Sequence, residues 1–175
     1  MEIKITRCEE QQRKPAPPDD TQLGFGRYFT DHIFKWDFAP EKGWHDARIE
    51  PYGPLSLDPA CMVFHYAQEI FEGLKAYRGA DGGVRLFRAD QNIARLRRSA
   101  KRLCMPDFDP ADALDSLKQL VLMERDWIPK TDGCALYIRP TMIATDPFLG
   151  VRPSTNYLYY VILSPVGAYY PEGFN

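Results

Sequence analysis

Residues 156–163 read NYLYYVIL, an apolar and aromatic run interrupted by no charge. Successive side chains of a strand point to opposite faces, so such a run suits a strand buried on both of them. A central strand late in the chain is therefore the first element to place. Residues 29–38, 44–49 and 61–66 read as shorter strands, separated by Pro40, Gly43, Pro51, Gly53, Pro54 and Pro59. Those residues punctuate strands and turns. Residues 74–78 and 84–87 flank Ala80-Asp81-Gly82-Gly83, a hairpin signal because its glycines supply the positive backbone angles a tight turn needs. Residues 136–141 are strand-like as well.

Two helices stand between these runs. Across 90–103, Ile93, Leu96, Ala100 and Leu103 recur at helical spacing and leave Arg95, Arg98 and Arg102 off the apolar stripe. In the second, Asp109 caps, Pro110 opens, and Leu114, Leu117, Leu120 and Val121 form a stripe continuing to Trp127. Before the first long strand, residues 1–24 are polar, hold Pro15, Pro17 and Pro18, and read as an arm: a short strand at Ile3 and Ile5, then an extended segment without helix potential. Strands, two helices, then strands again make an α+β domain. The expected division is an arm at 1–24, a small α+β domain at 25–165, and a connector at 166–175 leading through Gly167-Ala168-Tyr169-Tyr170 toward a further domain.

Composition removes several classes. With 22 basic and 24 acidic residues the net charge is -2, which lacks the positive field that nucleic-acid binding needs. Cys8, Cys61, Cys104 and Cys134 are scattered, without metal spacing, and read as reduced thiols of a cytoplasmic protein. The start MEIKITRCEE has neither signal nor transit character, and no apolar run nears the ~20 residues of a membrane helix.

The chemistry candidates are few. Arg95, near the start of a helix that follows a hairpin strand, suits a phosphate through a charge-assisted fork; a solvated basic face is the plainer reading of the same pattern. Tyr137 and Arg139, two apart on a strand, share a face while Leu136 and Ile138 point to the core. A phenol beside a guanidinium suits a carboxylate, and an exposed strand face is the alternative. Pro140 removes a ladder donor, which suits a sheet edge or a strand end beside a cleft. Lys75 is the one lysine in this region that invites a Schiff-base role, but it sits mid-hairpin with no phosphate-binding glycines beside it. His32, His45 and His65 show no nucleophile or metal spacing and read as structural.

Residues 64–78, FHYAQEIFEGLKAYR, resemble the signature of branched-chain-amino-acid aminotransferases, pyridoxal-phosphate enzymes of fold type IV. The resemblance continues through VRLFR at 84–88, Asn92, Arg95-Leu96, Ser99-Ala100, Arg102-Leu103, LYIRP at 136–140, LGV at 149–151 and SPVGAY at 164–169. It covers the chain from about Leu23 onward. It implies an antiparallel sheet with two main helices, the small N-terminal domain of such an enzyme. It implies that Arg95 binds the phosphate of pyridoxal 5'-phosphate, and that Phe71, Tyr137 and Tyr169 line a pocket for an aliphatic side chain. Tyr137 also helps to hold the substrate carboxylate, and Arg139 takes the side-chain carboxylate of glutamate. Tyr66 and Val151 match residues that reach the neighbouring subunit's pocket, which implies a homodimer.

The reaction so implied moves an amino group between leucine, isoleucine or valine and 2-oxoglutarate. D-amino-acid transaminases and aminodeoxychorismate lyases share the fold; Arg139 beside Tyr137, with FEGLKAYR, favours the branched-chain group. A non-catalytic dimerisation domain is the reading from another class. In such enzymes the Schiff-base lysine lies in a glycine-rich stretch well after the GAYY-like segment, and the carboxylate paired with the pyridine nitrogen lies later still. Neither stretch occurs up to Asn175, so these residues alone are expected to be catalytically inactive.

Overall fold

The computed structural model describes residues 1–17 and 19–167. Eight strands form one sheet: β1 (Lys4–Ile5), β2 (His32–Ala39), β3 (Gly43–Pro51), β4 (Glu69–Phe71), β5 (Leu74–Arg78), β6 (Val84–Leu86), β7 (Ala135–Ala144) and β8 (Tyr157–Val166). Their order is β1-β3-β2-β8-β7-β5-β6, with β4 paired to β7. The sheet is mixed and not purely antiparallel, because the arm strand β1 runs parallel to β3. All other pairs are antiparallel.

Two helices cover one face: α2 (Ala89–Arg102) and α3 (Pro110–Met123). Ile93, Leu96 and Ala100 of α2 and Leu117, Leu120 and Val121 of α3 join Phe34, Trp36, Leu136, Ile138, Met142, Tyr159, Val161 and Leu163 in one core. Leu103 departs from the expected stripe and is exposed, since α2 ends one residue before it. Asp109 caps α3 as its position predicts, accepting from the N–H groups of Ala111 (2.7 Å) and Asp112 (3.3 Å). The helix stops at Met123, so Trp127 sits in a separate 3-10 turn, Arg125–Trp127, and not at the end of the stripe. Among the described residues no helix is long and apolar enough to cross a membrane.

The 156–163 run does lie centrally, between β2 and β7. Its helix-facing residues Tyr157, Tyr159, Val161 and Leu163 are buried, as is Leu158 on the other face. Tyr160 and Ile162 are only half-buried, so the second face is covered in part. Residues 61–66 are not a strand. Cys61 makes a single bridge to Pro147, and α1 (Met62–Tyr66) then winds one turn, closed by Ala67 in the left-handed region (φ 49°). Short apolar runs do not declare their period, and here only Cys61 and Met62 are buried. The arm likewise takes two short 3-10 turns, Glu10–Gln12 and Asp20–Gln22, where extended chain was expected.

Pro140 does not end its strand. β7 pairs with β8 along its whole length, and on the other side with β5 at 136–138 and β4 at 141–143. A residue's N–H and C=O point to the same neighbour in an antiparallel ladder. The Pro140 carbonyl accepts from Glu72 N (2.9 Å), so the missing N–H also faces the Glu72-Gly73 break between β4 and β5. No donor is wasted, and the proline marks that break.

His32 is buried and structural. Its Nε2 accepts from the Cys8 N–H at 2.9 Å, and its Nδ1 meets the Glu124 carboxylate. That pair ties the arm to the end of α3. Burial pushes the Glu124 carboxyl above its usual range, against the hydrogen bond from His32.

Candidate active site

Candidate residues stand on the strands, Phe71 on β4 and Tyr137 and Arg139 on β7, and on α2, which carries Arg95; three consecutive positions at the β4–β5 break organise them. Phe71 lies beneath the Arg139 guanidinium, 4.5 Å from the ring centroid. Glu72 accepts from Arg95 through Nε (2.5 Å) and Nη2 (2.8 Å). Gly73 leaves room for Tyr137: a Cβ built there would stand 2.1 Å from the phenol oxygen. One tripeptide thus meets the three side chains that the resemblance places at the phosphate and the substrate carboxylates.

Tyr137 and Arg139 project together, as their spacing predicts. Arg139 donates to the Tyr137 oxygen from Nη2 (2.8 Å) and Nε (3.3 Å), and both are half-buried while Leu136 and Ile138 are in the core. The phenol accepts these bonds and keeps its own proton for an incoming oxygen. Phe25 adds a second wall, edge-on to Tyr137 with centroids 4.9 Å apart. The sequence reading missed Phe25; its signal is an aromatic between Gly24 and Gly26, both in the left-handed region (φ 61° and 68°).

Glu72 was missed too, although it lies inside the motif. It is 4% exposed, and Asn92 Nδ2 (3.0 Å) and Gly73 N (3.3 Å) also donate to it. Burial alone raises a carboxyl's pKa, but the Arg95 and Asn92 hydrogen bonds outweigh it and hold Glu72 below the usual range. Donating to Glu72 in turn raises the pKa of Arg95, whose side chain remains 61% exposed.

Elsewhere, Tyr66 at the end of α1 reaches the loop between β7 and β8 that carries Val151. The Tyr66 hydroxyl donates to the Leu149 carbonyl, and Val151 is 90% exposed. Asp146, itself buried, pins this loop by accepting from Thr155 N (2.7 Å), Asn156 Nδ2 (2.6 Å) and Arg152 Nη1 (3.0 Å). Tyr169 lies outside the described residues. Lys75, the second residue of β5, stands opposite Tyr137 in the β5–β7 register. The Phe71–Arg139 cluster is a wall and not an enclosed pocket, since Phe71 itself is 59% exposed.

No family model matches the chain. It is 56% identical over 173 residues to branched-chain-amino-acid aminotransferase 2 of Bacillus subtilis (strain 168), covering 99% of this chain and 48% of that protein. It is 55% identical over 151 residues to a branched-chain-amino-acid aminotransferase of Mycobacterium tuberculosis, covering 86% of this chain and 41% of the relative. Among solved structures, the T.th. branched-chain amino acid aminotransferase complexed with N-(5'-phosphopyridoxyl)-L-glutamate superposes with a TM-score of 0.59 at 26% identity. That match covers 78% of this chain and 41% of the other. The chain spans about half the length of the curated relatives it matches. In sequence and in fold it is thus a relative of the branched-chain aminotransferases of fold type IV, corresponding to about half of such a protein.

Proposed function

We propose that these residues form the carboxylate-binding and phosphate-binding wall of a branched-chain aminotransferase. The parent enzyme moves an amino group between leucine, isoleucine or valine and 2-oxoglutarate with pyridoxal 5'-phosphate. The observation that carries the reading is that Arg139 is satisfied within the chain, by the Tyr137 oxygen and the Phe71 ring. A site that takes both leucine and glutamate needs an apolar wall and one charge that is not stranded when the substrate brings no second carboxylate, because an unpaired buried charge is costly. Arg139 resting on Phe71 is such a charge. A glutamate side-chain carboxylate draws the guanidinium away from the ring; a leucine side chain leaves it there. Tyr137 donates its proton to a carboxylate oxygen, and Gly73 keeps the phenol where it stands.

The residues present fit the cofactor's phosphate. Arg95 spends one Nε and one Nη2 hydrogen on Glu72 and keeps an exposed edge of further N–H donors. When bound, pyridoxal phosphate supplies the electron sink that accepts and returns the amino group. We infer further that residues 1–24 are an arm, 25–165 the small domain and 166–175 the connector to the remaining half. The parent acts as a cytoplasmic homodimer, with Tyr66 and Val151 of one copy at the pocket of the other. The exposed placement of Val151 on a pinned loop supports that assembly.

The test is amino transfer by the full-length parent, supplied with pyridoxal phosphate and 2-oxoglutarate. L-leucine, L-isoleucine and L-valine are expected as donors. A preference for D-amino acids, or lyase chemistry without transfer, overturns the reading in favour of the related enzymes. A well-folded dimer with neither activity points to the non-catalytic domain.

A further inference from the structure

Glu72 is unusual for an acid at a candidate anion site. It is removed from water, yet its oxygens take four donors: Arg95 Nε and Nη2, Asn92 Nδ2 and Gly73 N. It sits at the β4–β5 break, while Arg95 rises from the second turn of α2 and is mostly exposed. An exposed pair of flexible partners holds neither in place. Here one partner is fixed by burial and by Asn92, so the other inherits its position.

The mode of contact decides what remains. Arginine carries five N–H donors in a rigid plane. Glu72 takes the side edge, formed by Nε and one hydrogen of Nη2. The end edge, with one hydrogen each from Nη1 and Nη2 side by side, is left over and matches two oxygens of a phosphate.

We propose that Glu72 is the positioning residue for the cofactor's phosphate: it clamps the Arg95 guanidinium side-on and thereby aims its end-on fork at the phosphate group. The proposal rests on the reading of Arg95 given above. Glu72 itself never touches the cofactor. Its negative charge offsets that of Arg95, so discrimination for the phosphate comes from the direction of the fork more than from net charge. Asn92 contributes one step further out, by holding the carboxylate.

The experiment is titration of the full-length apo-parent with pyridoxal phosphate and, separately, with pyridoxal, which lacks the phosphate, following the cofactor's absorbance. Glu72→Gln is expected to weaken pyridoxal phosphate roughly tenfold, the low end of what orienting partners contribute at other sites. Pyridoxal binding is expected to stay unchanged, and Glu72→Gln is expected to add no further loss in an Arg95→Ala background. Asn92→Ala, a milder change, is expected to weaken the phosphate form in the same direction but by less than Glu72→Gln, with pyridoxal unchanged; it decides the matter should Glu72→Gln not fold. Equal weakening of both ligands means a merely structural carboxylate and overturns the proposal. Tighter pyridoxal phosphate binding overturns it as well, since Glu72 then competes with the phosphate for Arg95. If Arg95→Ala leaves the ratio of the two affinities unchanged, the assignment of Arg95 is what fails.

Discussion

At Gly73 a methyl group is too much. A Cβ there meets the Tyr137 oxygen at 2.1 Å and the ring carbon bearing it at 2.9 Å, and neither atom is the loose end of a flexible chain. Gly73→Ala therefore displaces the phenol, and a displacement near 1 Å costs on the order of 100-fold in kcat/KM. The full-length parent should lose activity in parallel with leucine and with glutamate; a loss confined to one of them contradicts the placement of Tyr137. The neighbouring Glu72 makes a pH prediction. Its carboxyl lies below the usual range because the bonds from Arg95 and Asn92 outweigh burial. A depressed folded value means that its contribution to stability is present above the unfolded value, about 4.3, and is lost as pH falls through that region. The difference in urea stability between wild type and Glu72→Gln should hold constant from about pH 8 to 5 and shrink below about pH 4. A difference that grows on acidification contradicts it. Tyr137 and Arg139 were legible in the sequence because period-two spacing is a property of the strand alone. Glu72 was not, since what gives it meaning is Arg95, 23 residues away on another element.

The elements differ in how openly the sequence declares them. Helices α2 and α3 announce themselves through 3.6-residue stripes, and α3 also through Asp109-Pro110, because capping is local chemistry. Asp109→Ala should lower stability by about 1 kcal/mol, read as a shift of the urea midpoint at unchanged slope; no shift would mean that the cap is redundant with packing. The hairpin turn is equally local, with Gly82 at φ 76° between β5 and β6. Residues 61–66 misled because strand identity depends on a partner, and only Cys61 finds one. Pro140 misled for the opposite reason: a proline inside β7 is harmless only because β4 and β5 break opposite it, a fact of topology that the local sequence does not carry. The parallel pairing of β1 belongs with these, being set by where β3 lies and not by the arm's own residues.

Across the whole molecule, one sheet face is covered by α2 and α3, while Phe71, Tyr137 and Arg139 stand on strands and Arg95 of α2 reaches the β4–β5 break through Glu72. Phe64, Leu149 and Val151 are 62%, 60% and 90% exposed, an apolar surface at α1 and the loop that Asp146 holds. Contiguous apolar patches beyond a few hundred Å² mark association sites. The 175 residues on their own should self-associate at micromolar concentration, at least as a dimer, in light scattering; a clean monomer that binds no hydrophobic dye contradicts this. On the proposed function, one wall serves two kinds of substrate by letting Arg139 rest on Phe71 and Tyr137 when no second carboxylate arrives. Half-reactions of the full-length parent carrying Arg139→Ala, followed at the cofactor's absorbance with leucine and with glutamate, test it most directly. Loss of a charge-assisted contact of ~1.5–3 kcal/mol should slow the glutamate half-reaction roughly 10- to 100-fold and leave that of leucine nearly unchanged. Equal losses in both would contradict the account.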